Sequence, residues 1–164
     1  MDAGWTRCVV AVGANLGDKE TVAFQAVSDL RATEGFSLVA CSGLHETTAL
    51  TTEGFDSSAP SYLNQVVVLD SAWSPQHTLQ KLHDIEQAHG RVRTGQRYAD
   101  RTLDLDLITY GEEALVSPSL TLPHPRAHER RFVLEPWLEV DPSAQLPGHG
   151  PLAPLLAALP EISS

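Results

Sequence analysis

The sequence predicts an α+β fold of the ferredoxin-like type, an antiparallel sheet with helices on one face and long loops that form the functional site. Residues 5–110 follow the order strand–helix–strand–strand–helix–strand, which is the order of that fold. The strand segments alternate apolar and polar residues or form short apolar runs, whereas the helix segments repeat apolar residues every three or four positions. The other sheet face would then be covered by loops or left open.

The first strand and the first helix follow from their residue patterns. Residues 5–12 form an apolar run that predicts a strand, and residues 13–18 form a turn in which Asp18 is a suitable helix N-cap. The helix is predicted over 19–33 and is ended by Gly35. Its buried stripe is predicted to consist of Val22, Ala26, Val27 and Leu30.

The next part of the chain predicts two strands separated by a long loop. Residues 36–47 alternate partially between apolar and polar side chains, and residues 62–70 form the third strand. The loop between them, 48–61, is rich in Ser, Thr and Gly, and it is either a lid or binding element or a tolerated insertion. Asn64 is unusual inside a strand, where it either bonds a ligand or satisfies neighbouring main-chain groups.

A second helix and a fourth strand complete the predicted order. Ser74 is a helix N-cap that precedes a proline, and the helix should end near His89. After a loop over 91–100, residues 101–110 predict the fourth strand. Prolines prevent long helices in the remainder of the chain, where the pattern predicts two short ones. These short helices are expected over 126–138 and 151–159.

The fourth strand and the loop before it carry the residues that indicate chemistry. Alternation along the strand would place Asp104 and Asp106 on one face and leucines on the other. Paired carboxylates suit Mg²⁺, which usually shares its ligands with substrate phosphates. Four arginines precede them within eleven residues, and guanidinium groups pair well with phosphate oxygens. The combination indicates phosphoryl transfer or hydrolysis. The alternative is purely structural: a half-buried strand with one solvent-exposed face, next to a solvent-exposed loop.

Composition narrows the class of protein. The chain has 164 residues, enough for one domain with a core, and its 42% hydrophobic content excludes a disordered protein. The net charge is −10, but seven of the 11 Lys and Arg residues lie between Arg91 and Arg131, which favours a small phosphorylated ligand over a nucleic acid. With no membrane-length apolar run and no visible secretory signal, we expect a cytoplasmic protein. Cys8 and Cys41 are expected to be free thiols in the core.

Several short motifs across residues 5–142 occur in the order, and with roughly the spacing, that they have in one enzyme family. The most specific is RTLDLDL at 101–107. The others are Val12–Asp18, Tyr62–Gln65, Glu86, Gly90–Arg93, Arg97, Leu122–Pro125 and Arg130–Phe132. Together they resemble the 6-hydroxymethyl-7,8-dihydropterin pyrophosphokinases of folate biosynthesis. The resemblance implies the ferredoxin-like fold and one pyrophosphokinase domain over residues 1–164.

The resemblance also implies an activity and a set of site residues. Enzymes of this family use ATP as co-substrate and Mg²⁺ to move a pyrophosphoryl group onto the hydroxymethyl group of the pterin, with release of AMP. Asp104 and Asp106 would hold two Mg²⁺ ions, and Arg91 and Arg101 would act with them in catalysis. Nucleotide contacts are implied for Glu86, Arg91, Arg93, Arg101, Leu107, Thr121, His124 and Arg130. Pterin contacts are implied for Thr47, Leu50, Tyr62, Asn64, Tyr98 and Phe132.

Other functions fit parts of the same pattern. A metal-dependent phosphohydrolase would use the aspartates with water as the nucleophile. A non-catalytic binding module, for RNA for example, is disfavoured by the net charge, and a regulatory module would bind nucleotide without turnover. The expected partners are the two small-molecule substrates, with no nucleic acid and no membrane, and the expected state is a monomer. One departure from the family is Tyr98-Ala99-Asp100, where Trp-Gly-Pro is common.

Overall fold

The structure is a computed structural model that describes residues 4–14, 19–48, 50–51, 54–55, 61–89 and 103–159. None of the helices in these ranges is long and apolar enough to cross a membrane. In chain order the elements are β1 (Thr6–Ala14), α1 (Lys19–Ala32), β2 (Phe36–Cys41), β3 (His45–Thr48), β4 (Leu50–Thr51), β5 (Gly54–Phe55), β6 (Ser61–Ser71), α2 (Pro75–Ala88), β7 (Leu103–Tyr110), β8 (Leu115–Val116), β9 (Thr121–Leu122), a 3-10 turn (Ala127–Glu129), α3 (Arg131–Val140), β10 (Gln145–Leu146), β11 (Gly150–Pro151) and α4 (Leu152–Ala157).

The main sheet has the strand order β2–β6–β1–β7, and β3 also pairs with β6. Every neighbouring pair in it is antiparallel. Helix α1 connects β1 to β2, and helix α2 connects β6 to β7. The first and last strands of the predicted order, β1 and β7, lie side by side. This is the arrangement that the predicted order requires, and the ferredoxin-like fold class is confirmed.

The helices α1 and α2 cover one face of the sheet, as predicted. Val10, Val67 and Leu105 point to this face from three adjacent strands. Leu30 of α1 and Leu82 of α2 pack against them, and all five side chains are buried. Burial of each such side chain stabilises the fold by about 1.5–3 kcal/mol, so this layer contributes substantially to stability.

The C-terminal helices cover part of the opposite face, which the sequence analysis assigned to loops or solvent. Val133 and Trp137 of α3 pack against Val66 of β6 and Ile108 of β7, and Leu152 of α4 joins the same cluster. The sequence pattern identified both helices but could not tell which sheet face they cover. Helices therefore pack on both faces of the sheet.

The segment predicted as one strand over 36–47 forms two strands, with residues 42–44 between them. The register of β2 against β6 shifts around Val39. The strand is then interrupted at Ser42, whose Oγ accepts a hydrogen bond from the Val66 N–H at 3.0 Å. A buried serine thus replaces the regular ladder at this point, and β3 begins with a new register.

The two cysteines differ in their exposure. Cys8 on the central strand β1 is fully buried, as predicted. Cys41 is exposed, so the prediction of a core position is wrong for this residue. It is the last residue of β2, and β2 is an edge strand of the sheet, so its side chain has fewer neighbours than a central-strand residue.

Candidate active site

The two aspartates of β7 share one face of the sheet, as the alternation predicted. Leu103, Leu105 and Leu107 are buried in the core beneath α1 and α2. Asp104 and Asp106 therefore point to the opposite face, and both are partly exposed. The buried leucines hold the carboxylates on a rigid element, which is the arrangement that precise ligand binding needs.

Gly13 separates Asp104 from Asn64 on this face. In the sheet register Gly13 pairs with Asp104 of β7 on one side and with Asn64 of β6 on the other. A Cβ atom built on Gly13 would lie 3.9 Å from Asn64 Oδ1 and 3.9 Å from Asp104 Cβ. The two polar side chains therefore flank a strip of bare backbone, on which a ligand can approach the sheet closely.

On β6, β1 and β7, the side chains of this face change from apolar to small or polar toward the same end of the sheet. Apolar residues that pack under the C-terminal helices are followed by small or polar residues. In that direction the same-face residues are Val68, Val66 and Asn64 on β6; Val9, Ala11 and Gly13 on β1; and Ile108, Asp106 and Asp104 on β7. The polar end of the face, defined by Asn64, Gly13, Asp104 and Asp106, is the candidate active site.

A cation from the C-terminal part of the chain reaches this site. Arg130 directly precedes α3, and its Nη1 lies 3.9 Å from Oδ2 of Asp106. Its guanidinium carbon also lies 5.5 Å from the ring centroid of Phe132, within cation–π range. The beginning of α3 therefore brings Arg130, a predicted nucleotide-binding residue, beside Asp106, and Phe132, a predicted pterin-binding residue, beside Arg130.

His124 is held against β7 by its main chain, because its N–H donates to the carbonyl oxygen of Ile108 at 2.9 Å. Burial lowers the pKa of the imidazole, and the charges of Arg130 and Arg126 lower it further, against the opposing effect of Asp106. The ring is therefore neutral at pH 7. Its Nδ1 accepts a hydrogen bond from the Arg126 N–H at 3.2 Å, so the ring proton is on Nε2, which is a donor.

Two residues that are predicted to bind the nucleotide, Glu86 and Leu107, lie away from the face of β7 that carries the aspartates. Glu86 of α2 is buried, and its Oε2 accepts a hydrogen bond from the Leu105 N–H at 2.6 Å. Because β7 is an edge strand, its outward main-chain groups need partners, and Glu86 supplies one. The Leu107 side chain lies in the core, so a nucleotide contact there would use the main chain. Thr121 lies in β9, paired with Val116.

Part of the predicted site lies outside the described residues, namely Arg91, Arg93, Tyr98 and Arg101. For three predicted pterin residues the backbone alone is described. Thr47 of β3 pairs with Tyr62 of β6, two positions along the ladder from the pairing of His45 with Asn64. Leu50 pairs with Phe55 in the short hairpin that follows. The β3–β6 ladder thus places three of the predicted pterin residues, Thr47, Tyr62 and Asn64, within three consecutive register positions.

The donor groups fit a magnesium ion that is shared with a substrate. Within the described ranges, no three His, Cys, Asp or Glu side chains are grouped so that they could hold a metal ion. Asp104 and Asp106 supply hard oxygen donors on one face, and Gly13 leaves space beside them. Mg²⁺ commonly takes one or two carboxylates and completes its shell with water and phosphate oxygens. The residues therefore fit the ion together with a phosphorylated ligand.

Sequence reasoning missed one contact near the site. Oε2 of Glu139 in α3 accepts a hydrogen bond from the Gly43 N–H at 2.8 Å, and its Oε1 lies 2.7 Å from Nε2 of His45. The bonds from Gly43 and then His45 lower the pKa of the Glu139 carboxyl. A glutamate on the exposed side of a helix resembles any solvated residue, so the sequence carries no signal for this contact.

Proteins of known function resemble this chain over most of its length. The family model of 7,8-dihydro-6-hydroxymethylpterin-pyrophosphokinase (HPPK) matches residues 9–142. A 2-amino-4-hydroxy-6-hydroxymethyldihydropteridine pyrophosphokinase of Mycobacterium tuberculosis is 41% identical over 167 residues, which cover 96% of this chain and 84% of the relative. The Bacillus subtilis protein of the same name is 34% identical over 131 residues, which cover 80% of this chain and 75% of the relative.

The fold has a counterpart among solved structures. The crystal structure of wild-type Plasmodium falciparum HPPK-DHPS with pteroate matches with a TM-score of 0.70 at 12% identity. The match covers 93% of this chain but 42% of that chain, so most of the larger protein has no counterpart here. At this identity the likeness shows the fold alone. The family model and the two relatives show that the chain belongs to the 7,8-dihydro-6-hydroxymethylpterin-pyrophosphokinase family.

Proposed function

We propose that this pyrophosphokinase binds its pterin substrate across the row formed by Asn64, Gly13 and Asp104. Its reaction is a step of folate biosynthesis, in which ATP donates a pyrophosphoryl group to the hydroxymethyl group of 6-hydroxymethyl-7,8-dihydropterin. The hydroxyl oxygen bonds to the β-phosphorus, the bond between that phosphorus and the oxygen bridging to the α-phosphorus breaks, and AMP leaves. The hydroxyl proton is released.

The positions of Asn64, Gly13 and Asp104 on three adjacent strands support this proposal. Asn64 offers an amide for the hydrogen-bonding edge of a heterocycle, and Asp104 offers a carboxylate for a metal ion. They lie on β6 and β7, one on each side of β1, so their backbones are roughly 10 Å apart at about 4.8 Å per strand. That separation suits a two-ring heterocycle with a hydroxymethyl arm that points toward Asp104.

Asp104 and Asp106 would together bind two Mg²⁺ ions. When bound, Mg²⁺ neutralises phosphate charge and orients the phosphates for displacement. Arg130, 3.9 Å from Asp106, would bind phosphate oxygens of ATP, and the Nε2–H of His124 would donate to another. Phe132 would hold the pterin ring. Together these groups bind and align the substrates, which is most of what phosphoryl transfer requires.

The remaining assignments are proposals from the sequence. Catalytic roles for Arg91 and Arg101, and ligand contacts for Arg93 and Tyr98, belong to residues outside the described ranges. We also propose one domain over residues 1–164, a cytoplasmic location and a monomer with no nucleic-acid or membrane partner. Light scattering during size-exclusion chromatography should give a mass near 17.7 kDa; twice that mass would contradict the monomer.

The direct test is incubation with ATP, Mg²⁺ and 6-hydroxymethyl-7,8-dihydropterin, followed by detection of AMP. AMP should form only when the pterin is present, and the pterin product should carry two phosphates. Asp104→Asn should abolish the reaction. Asp84→Asn is a matched control, because Asp84 lies exposed on α2 in a hydrogen bond with Gln80. Release of phosphate or pyrophosphate without pterin would instead indicate a phosphohydrolase.

A further inference from the structure

One carboxylate of α3 holds the segment that enters the proposed pterin site. Both oxygens of Glu139 are engaged, Oε2 by the Gly43 N–H at 2.8 Å and Oε1 by Nε2 of His45 at 2.7 Å. The two partners lie on the connection between β2 and β3, more than 90 residues away along the chain. Glu139 therefore fixes the position of this connection relative to α3.

The other side of the connection is bonded to β6. The N–H of Ser42 donates to the carbonyl oxygen of Val66 at 2.9 Å, and the Val66 N–H donates to Oγ of Ser42 at 3.0 Å. Nε2 of Gln65 donates to the carbonyl oxygen of Ser42 at 2.7 Å. These bonds fix the beginning of the connection, whereas Glu139 fixes the part that leads into β3.

The held segment continues directly into the pterin site. His45 pairs with Asn64 in the β3–β6 ladder, and the Asn64 Nδ2 donates to the carbonyl oxygen of His45 at 3.4 Å. Two residues further along β3, Thr47 pairs with Tyr62. A shift of the main chain at His45 would therefore move the amide that reads the pterin edge and the strand that carries Thr47.

The contact is poorly suited to supply global stability. The Glu139 side chain is 44% exposed and that of His45 is 32% exposed. Exposed ion pairs contribute little to the free energy of folding, because solvent screens them and two side chains lose freedom. A bidentate contact at such a place restricts the geometry of the segment more than it stabilises the domain.

We propose that Glu139 is a positioning residue for the pterin half of the active site. The inference rests on the proposed function of Asn64. Helix α3 carries Phe132 in its first turn and Glu139 in its last, so one ten-residue helix sets the ring-holding group and the edge-reading strand relative to each other. The nucleotide half of the site does not depend on this contact.

The test uses three variants of the full chain. In Glu139→Ala, the Kd for pterin, measured by calorimetry with Mg²⁺ and a non-hydrolysable ATP analogue, should rise by about 3- to 10-fold, as for one lost hydrogen bond. The Kd for the ATP analogue and the melting temperature should not change. Glu139→Gln keeps an acceptor for the Gly43 N–H and should recover part of the loss. Glu135→Ala removes a carboxylate one turn earlier in α3, where it pairs with Arg131 at 3.2 Å, and should leave pterin affinity unchanged.

Two results would overturn the inference. One is equal pterin affinity in Glu139→Ala and Glu135→Ala. The other is a parallel loss of melting temperature and of affinity for both ligands, which would mean that Glu139 only supports the fold. Each of these results counts against the inference only if the wild-type protein forms AMP in the presence of pterin. A wild-type protein that fails to do so would refute the proposed function itself, so the two failures are distinguishable.

Discussion

Replacement of Gly13 by alanine should make the protein more stable and less active. Glycine inside a strand costs roughly 0.5–1 kcal/mol relative to alanine, because the unfolded chain loses more conformational freedom. The φ angle of Gly13 is not among the positive values found at other described glycines, so an L-residue fits the backbone. The new Cβ would lie 3.9 Å from Asn64 Oδ1 and from Asp104 Cβ, which is ordinary van der Waals contact. Nothing in the local packing therefore opposes alanine.

The expected gain in stability follows from those distances. With no steric cost, the free energy of unfolding should rise by about 0.5–1 kcal/mol. For a protein of this size that corresponds to a rise in melting temperature of about 1–4 °C. A glycine that the fold itself does not need indicates that another requirement keeps the position bare.

The expected loss of activity comes from the same methyl group. It would stand between Asn64 and Asp104, on the strip of backbone where the pterin is proposed to lie. Displacement of a reacting group by about 1 Å can cost about 100-fold in rate, so kcat/KM for the pterin should fall by about that factor. The substitution would thus separate stability from activity, in the direction expected for an active-site residue.

Thermal melts and initial rates of AMP formation measure the two effects in the same preparations. Gly4→Ala is the control, because a Cβ at Gly4 would have no neighbour within 4 Å, and it should change neither quantity appreciably. Normal kcat/KM in Gly13→Ala would show that no substrate uses the space between Asn64 and Asp104. A lower melting temperature would refute the argument that alanine fits.

Three further predictions concern single residues. Asp104→Asn or Asp106→Asn should abolish Mg²⁺-dependent AMP formation without lowering the melting temperature, because both side chains are partly exposed; near-normal turnover in either variant would remove that carboxylate from the mechanism. Asn64→Ala should weaken pterin binding by about 1–3 kcal/mol in calorimetry, as for a lost buried hydrogen bond, and unchanged affinity would contradict its assignment. Burial raises the pKa of the Cys8 thiol to about 12, and only the thiolate reacts, so a disulfide reagent at pH 8 should modify Cys41 alone in the native protein and both cysteines after denaturation. Two reactive thiols in the native state would show that the core around Cys8 opens readily.

The orientation of β7 was predictable because residues 103–107 alternate strictly between leucine and aspartate. Leu103, Leu105 and Leu107 belong to the core, and the two aspartates between them belong to the other face. The two-residue alternation of a strand therefore determines the orientation of both sets of side chains. The neighbours of Asp104 are a different matter. They depend on strand order and register, which alternation within one strand does not determine. The family resemblance assigned Asn64 to the pterin and Asp104 to Mg²⁺, but nothing in the sequence identified Gly13 as the residue between them.

Two features escaped prediction because their causes are not local. The break between β2 and β3 depends on two hydrogen bonds between Ser42 and Val66, which lies 24 residues later on β6. The packing of α3 on the second face depends on where the C-terminal part of the chain returns to the sheet. The sequence pattern identified the helix but joined the two strands into one, because it carries no information about distant hydrogen-bond partners.

The location of the site follows from where α3 can pack. A helix needs an apolar surface, and α3 finds one over Val66 and Ile108. Toward Gly13 and Asp104 that surface ends, and a helix extended there would remove a carboxylate from water without a partner, at a cost of several kcal/mol. The helix therefore stops short of this end, with Arg130 beside Asp106 and Phe132 beside Arg130. The change from apolar to polar residues on three adjacent strands thus limits the core and creates the surface for a charged ligand at the same time.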